Sequence, residues 1–163
     1  MLQDIFINLN ILSKIKPYDK IYINKNNLIS IEYNSAFQGF FRFLYNNSRE
    51  KNLTNLILFY QNIFDYVDEL LNSQYLNGDL IHDYINKDNE EFFKIYNNLD
   101  KLNYYLENSS TGIKNLKKTY STDIVTDSKL DIIINNINLY THKISKKINM
   151  INLNIHNNKE KSL

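Results

Sequence analysis

Cysteine and tryptophan are absent from this 163-residue chain, which also has one proline, three glycines and a single alanine, Ala36. Without cysteine the protein has neither disulfide bonds nor thiolate metal ligands, a composition that fits a reducing compartment. No stretch reaches the roughly 18 apolar residues of a membrane span, and the first residues lack the basic start and cleavage site of a secretory signal. These absences predict an intracellular protein without a membrane span.

The short motifs that mark common catalytic sites are missing as well. The chain has no G-x-S-x-G nucleophile elbow, no P-loop and no G-x-G-x-x-G dinucleotide motif. His82 followed by Asp83 matches the dipeptide of metal-dependent phosphohydrolases, but no second ligand pair lies at a useful spacing. We therefore expect a non-enzymatic protein with no catalytic residue, no metal site and no cofactor.

The overall composition is that of a folded protein, with 43% hydrophobic and 23% charged residues. Asparagine accounts for roughly one residue in six, far above ordinary usage. We attribute this Asn-rich character to an AT-rich genome, because Asn, Lys, Ile, Tyr and Phe all have AT-rich codons. The chain length predicts a single helical domain at residues 1–156, followed by a disordered tail at 157–163.

Charge is distributed unevenly along the chain although its net value is only +1. Residues 1–63 carry 7 basic and 4 acidic groups, residues 64–107 carry 3 and 10, and residues 108–163 carry 9 and 4. An acidic middle between basic ends favours docking of the ends on the middle, or head-to-tail contact between copies. We do not expect nucleic acid to be a partner, because nucleic-acid-binding domains are usually strongly basic.

Apolar residues recur at helical spacing most regularly between residues 47 and 71, which predicts a long central helix with a capping signature at Asn47 and Glu50. Two β-rich runs around a polar turn predict a hairpin near residues 20–32, since the period of the pattern changes there. The predicted core comprises Leu56, Ile57, Ile63, Phe64, Val67, Phe40, Leu44, Leu99, Leu102 and Leu116.

Helices are also predicted on both sides of these elements, at residues 2–15 and 35–46. Residues 80–107 fit two helices separated near residues 86–89, or one bent helix, and we favour two. A break at residues 108–112 then precedes a short basic helix. The sequence thus predicts a mainly α, single-domain bundle of five to seven helices with a small β-hairpin and a long C-terminal helix.

The C-terminal helix carries the most specific pattern in the sequence, two rows of mostly isoleucine with heptad spacing. The rows contain Leu130, Ile137, Ile144 and Ile151, and Ile134, Thr141, Ile148 and Ile155. Such a seam is typical of coiled coils, and isoleucine at both core positions favours trimers or tetramers. The first half of the helix is expected to pack within its own bundle. For the second half we predict contact between chains through Ile144, Lys147, Ile148, Ile151 and Ile155.

Two further sets of residues are candidates for contacts. Phe37 and Phe41 belong to the most aromatic stretch, residues 37–45, which is interpreted as core packing with an exposed recognition patch as the alternative. Arg42 and Arg49 are the only arginines. Because lysine cannot reproduce the bidentate pairs of arginine, we expect at least one of them to bind a carboxylate or helix-terminal carbonyls of its own fold, the alternative being an acidic partner.

Several short stretches, taken in order, resemble helical proteins encoded by nucleocytoplasmic large DNA viruses. They are residues 15–21, Arg42 followed by residues 47–50, and residues 112–116 followed by Thr119, Tyr120 and Asp123. The resemblance implies an uncharacterised virus protein, a virion component, located in the host cytoplasm or in the particle, and it assigns no catalytic residue. Protein partners are then expected, either further copies or other virion proteins. The alternative is a regulatory adaptor that binds a host or viral protein through the aromatic surface at residues 37–45.

Overall fold

A computed structural model of the protein describes residues 20–23, 28–32, 49–76, 78, 80–119 and 124–161. Within these ranges the architecture is mainly helical, as predicted. The helices are α1 at Arg49–Leu71, α2 at Ile81–Asn86, α3 at Glu90–Thr119 and α4 at Ile124–Lys161, and a 3-10 turn lies at Gln74–Leu76. The helices predicted at residues 2–15 and 35–46, with the core residues Phe40 and Leu44, lie outside the described residues.

Two short strands, β1 at Lys20–Ile23 and β2 at Ile29–Glu32, pair in antiparallel fashion with Ile21 opposite Ile31. Residues of β2 lie close to α3. Residues 24–27, which would form the turn between the strands, are outside the described part of the chain. The continuous hairpin therefore stays a prediction.

The three long helices each bury a seam with core residues at alternating spacings of three and four, the pattern of coiled-coil packing. On α4 the position between Ile137 and Ile144 is held by Thr141, which is half-buried. The seam of α1 is Leu53, Leu56, Tyr60, Ile63, Val67 and Leu70; that of α3 is Phe92, Ile95, Leu99, Leu102, Leu106, Ser109 and Ile113; and that of α4 includes Leu130, Ile134, Ile137, Ile144, Ile148 and Ile151. Together they form one core, because each helix directs its seam towards the other two.

Polar contacts set the relative register of α3 and α4. They join Tyr96 with Asn152 (2.8 Å), Asn103 with Ser145 (3.4 Å), Ser110 with Asn138 (3.4 Å), and Lys117 with Asp131. Successive partners are seven residues apart in both helices and run in opposite directions along them. The two helices are therefore antiparallel, and the same register is kept through three heptads of each.

Helix α1 closes the core by lying against both α3 and α4. On the α3 side, the rings of Phe59 and Tyr105 meet edge to face at 6.5 Å, and the Asn98 amide donates a hydrogen bond to the Tyr66 hydroxyl at 3.4 Å. Burial raises the pKa of Tyr66 above its ordinary value. On the α4 side, Phe64 stacks on Tyr140 with ring centroids 4.5 Å apart. Since α1 and α4 are both antiparallel to α3, they are parallel to each other.

The central helix faces the core at a slightly different angle from the one predicted. Leu56, Ile63, Phe64, Val67, Leu99 and Leu102 are buried as expected, whereas Ile57 is 36% exposed, so its assignment to the core was wrong. Tyr66, which the periodicity did not assign to the core, is fully buried. The cause is tertiary, because α3 packs on the flank of α1 that carries Phe59 and Tyr66. The side chain of Leu116 is outside the described part of the structure.

The predicted boundary between α2 and α3 is confirmed, whereas the predicted break at residues 108–112 is wrong, because α3 continues through it to Thr119. Asn, Ser, Thr and Gly disfavour helix only weakly, and tertiary packing overrides that preference. Here Leu106 and Ile113 are fully buried on either side, and Ser109 occupies the core position between them. Four helices lie within the described residues, so the predicted total of five to seven is not confirmed.

The last helix also extends beyond its predicted end. It remains helical through Lys161, so residues 157–161, assigned to a disordered tail, continue α4 instead. Lys159, Glu160 and Lys161 are good helix formers, and lysine near a helix C-terminus is favoured by the helix dipole.

The turn between α2 and α3 is compact because one residue adopts a left-handed conformation. Asp88 has φ of 54° and follows the C-cap of α2, where the Asn89 and Asp88 amides donate to the carbonyls of Tyr84 (3.0 Å) and Ile85 (3.2 Å). These two bonds form a Schellman motif. Asn89 also caps α3, since its side-chain oxygen accepts a hydrogen bond from the Phe92 amide at 3.1 Å.

We expect Asp88→Gly to raise the free energy of unfolding by about 0.5–1 kcal/mol. Glycine adopts positive φ without the steric cost that a side chain meets there. Urea denaturation followed by circular dichroism would measure the change. Asp83→Gly is the matched control, because Asp83 is exposed within α2, where glycine should destabilise by about 1 kcal/mol. Equal effects of the two substitutions would contradict the role assigned to Asp88.

Candidate interaction surface

The isoleucine seam predicted to join chains lies inside the protein. Ile144 and Ile151 are fully buried, Ile148 is 9% exposed and Ile155 packs partly buried against the core. Residues 148–155 do not project beyond a partner helix, because α3 lies alongside them and the Tyr96 hydroxyl donates a hydrogen bond to Asn152 at 2.8 Å. Helix α2 packs on α4, and Lys147 Nζ donates a hydrogen bond to the Leu76 carbonyl at 3.3 Å. Ile144, Ile148 and Ile151 therefore belong to the core, and Lys147 and Ile155 are half-buried beside them.

A different row of apolar residues on α4 faces solvent. Val125 is 65% exposed, Ile132 59%, Leu139 49% and Leu153 63%. They recur every seven residues, and the position between the last two is occupied by Lys146, which is also exposed. We call these five positions the outer row of α4. Over 28 residues the outer row extends about 42 Å along the helix.

The groove between α1 and α4 is organised around Tyr140. Phe64 stacks on its ring, its hydroxyl donates a hydrogen bond to Asp68 Oδ2 at 2.7 Å, and Lys143 Nζ lies 4.8 Å from the ring centroid. Partial burial, together with the bond to the Asp68 carboxylate, raises the pKa of Tyr140 to about 12. The phenol therefore stays protonated near neutral pH and continues to donate to Asp68.

Acidic and basic groups lie on opposite sides of this groove. On the α1 side Asp65 is exposed, and it accepts a hydrogen bond from Gln61 at 3.0 Å. On the α4 side Lys143 and Lys146 are exposed. Asp65 on α1, with Lys143 and Lys146 on α4, therefore gives the two helices exposed charges of opposite sign.

A shallow cleft of about 400 Å³ lies between the C-terminal end of α3 and the N-terminal part of α4. It is lined by Lys114, Lys117, Asp131 and Ile134. Lys117 and Asp131 form an ion pair across it. Among the described residues that line the cleft, Lys114 is the charged residue outside this ion pair. The described residues of this lining supply neither a nucleophile with an adjacent base nor a set of metal ligands.

The other sequence candidates fall into two groups. No cluster of three or more His, Asp or Glu side chains suited to a metal occurs within the described residues, which include the His82 and Asp83 pair. Phe37, Phe41 and Arg42 lie outside the described residues, and so does the side chain of Arg49. The predictions made for these four residues therefore stay predictions.

None of the helices in the described part of the chain is long and apolar enough to cross a membrane. No protein-family model matches the chain, and neither a curated protein nor a solved structure matches it.

The outer row of α4 was missed by sequence reasoning, although it was present in the pattern. Val125, Ile132, Leu139 and Leu153 have the same heptad period as the buried seam. A helix with two apolar rows of one period offers two candidate faces, and we predicted contact between chains through the second half of the isoleucine-rich row. In the tertiary structure the first half of that row is buried as predicted, and Ile144, Ile148 and Ile151 of the second half are buried as well.

Proposed function

We propose that this protein is a non-enzymatic structural protein that assembles with other proteins through its helical surfaces. The observation that carries the proposal is the outer row of α4, whose four apolar members are each 49% exposed or more. Single exposed apolar residues are normal on soluble proteins. A row that repeats every seven residues along one helix is instead the spacing with which one helix contacts another.

The resemblance to proteins of nucleocytoplasmic large DNA viruses supports extending the proposal to a virion component. Such a component needs surfaces that make repeated contacts, and it needs a framework that does not deform when those contacts form. The three buried seams provide that framework, because their residues belong to a single core.

The proposal is tested by measuring the protein in purified virus particles and in infected cells with quantitative mass spectrometry. A structural component should be present in particles at high copy number. Abundance in cells combined with absence from particles would overturn this role and favour the regulatory adaptor acting through residues 37–45.

A surface variant sharpens this experiment. Ile132→Asp with Leu139→Asp should lower the amount incorporated into particles by about tenfold or more, since interface hot spots contribute more than about 1 kcal/mol each. Tyr104→Asp is the control, because Tyr104 is 61% exposed on α3, away from the outer row. Equal incorporation of the two variants would contradict a role for the outer row.

A further inference from the structure

The face that surrounds the α1–α4 groove carries its apolar and charged groups in a matched order on the two helices. On α1, Leu58 is 49% exposed and is followed seven residues later by the exposed Asp65. On α4, Ile132 is 59% exposed and is followed eleven residues later by the exposed Lys143. Because α1 and α4 are parallel, both helices present an exposed apolar residue followed, in the same direction, by an exposed charged residue. The charge is negative on α1 and positive on α4.

The stacked pair Phe64 and Tyr140 sets the relative height of these groups. Leu58 precedes Phe64 by six residues and Ile132 precedes Tyr140 by eight, so their heights along the bundle differ by about 3 Å at 1.5 Å per residue. Asp65 follows Phe64 by one residue and Lys143 follows Tyr140 by three, which again gives a difference of about 3 Å. Each apolar group is therefore nearly level with the other, and so are the two opposite charges.

A two-fold axis parallel to the helices makes such a face complementary to itself. Rotation by 180° about it exchanges the two sides of the groove and preserves height, which places Asp65 opposite a second Lys143 and Leu58 opposite a second Ile132. A two-fold axis across the helices would instead place each side opposite itself in reversed direction, so that the acidic side meets the acidic side. Like charges across an interface disfavour that arrangement.

We infer that the partner of this face is a second copy of the chain, an inference that rests on the proposed function. The two copies form a closed dimer whose two-fold axis is parallel to α1 and α4. Each of the two contacts occurs twice in the dimer, because the interface is isologous. The part of the outer row beyond Leu139 stays exposed in this dimer, which leaves Leu153 for contacts with other proteins.

The absence of native cysteine makes this inference directly testable. Leu58→Cys and Ile132→Cys are made separately, and disulfide formation under mild oxidation is followed on non-reducing gels. Neither variant alone should cross-link efficiently, whereas a mixture of the two should give a covalent dimer. The Leu58→Cys/Ile132→Cys double variant should stop at dimer, because a closed two-fold interface uses both sites. Cross-linking of either single variant alone at the level of the mixture, or a ladder of higher oligomers from the double variant, would overturn the inference.

Charge reversal gives an independent measurement by sedimentation equilibrium. Asp65→Lys and Lys143→Glu should each weaken dimerisation at least tenfold, and the combined variant should return to within a few-fold of the parent, since the reversed charges are again complementary. Failure of the combined variant to recover, or a monomeric parent at 100 µM, would overturn the inference. A monomeric parent that is nevertheless abundant in particles would refute the dimer alone, whereas a dimer absent from particles would refute the proposed function alone.

Discussion

Aspartate at both Ile144 and Ile151 is expected to unfold the protein. Both side chains are fully buried in the core, and each substitution would place an unpaired carboxylate in an apolar environment. A single buried, uncompensated charge costs about 3–5 kcal/mol, and removal of the isoleucine leaves a packing defect in addition. Two such charges cost about 6–10 kcal/mol before the packing defects are added, which is comparable to the roughly 5–15 kcal/mol that stabilises an ordinary domain.

The measurement is far-ultraviolet circular dichroism with urea denaturation. The double variant should lack a cooperative transition, and the parent should show one. The control is Ile132→Asp with Leu139→Asp, which has the same charge change on the exposed side of the same helix. That variant should keep the helical spectrum of the parent. A folded Ile144→Asp/Ile151→Asp protein with reduced self-association would contradict burial of this seam and support the contact between chains that the sequence predicts there.

Leu56→Ala should lower the free energy of unfolding by about 2–5 kcal/mol, the range for truncating a buried leucine. Leu56 is only 1% exposed in the middle of the α1 seam. The truncation would remove packing against both neighbouring helices, because α1 lies against α3 and α4 together.

Urea denaturation at low protein concentration would measure the loss, with Leu153→Ala as the matched control. Leu153 is also within a helix but is 63% exposed, so its truncation should change stability by about 0.5 kcal/mol or less. A comparable loss for both variants would show that burial of Leu56 does not determine its contribution.

The sequence by itself determined the helical class and most of the core of this protein. Apolar spacing of three and four residues identifies a helix that has a buried side, and this rule located the core positions Leu56, Ile63, Leu99 and Leu102. The helix boundary near residues 86–89 was equally predictable. Local signals were sufficient in these cases because hydrophobic periodicity and turn residues favoured the same structure.

The break expected at residues 108–112 shows where local signals fail. Their weak helix propensity would end a helix that has no tertiary support, but buried residues on both sides outweigh it in α3. The register of α3 against α4 also depends on pairs that are distant in sequence, such as Tyr96 with Asn152. Local preference contains no information about such pairs.

Only the tertiary structure decided which surface of α4 is free. Both apolar rows of this helix have heptad spacing, so the pattern shows that each row can pack but does not show against what. Other elements of the fold decided it, because α3 lies alongside the end of the isoleucine seam, where Tyr96 binds Asn152, and α2 also packs on α4. Burial depends on every other element of the fold at once, whereas periodicity is a property of one helix, and for that reason the buried row and the exposed row look alike in the sequence.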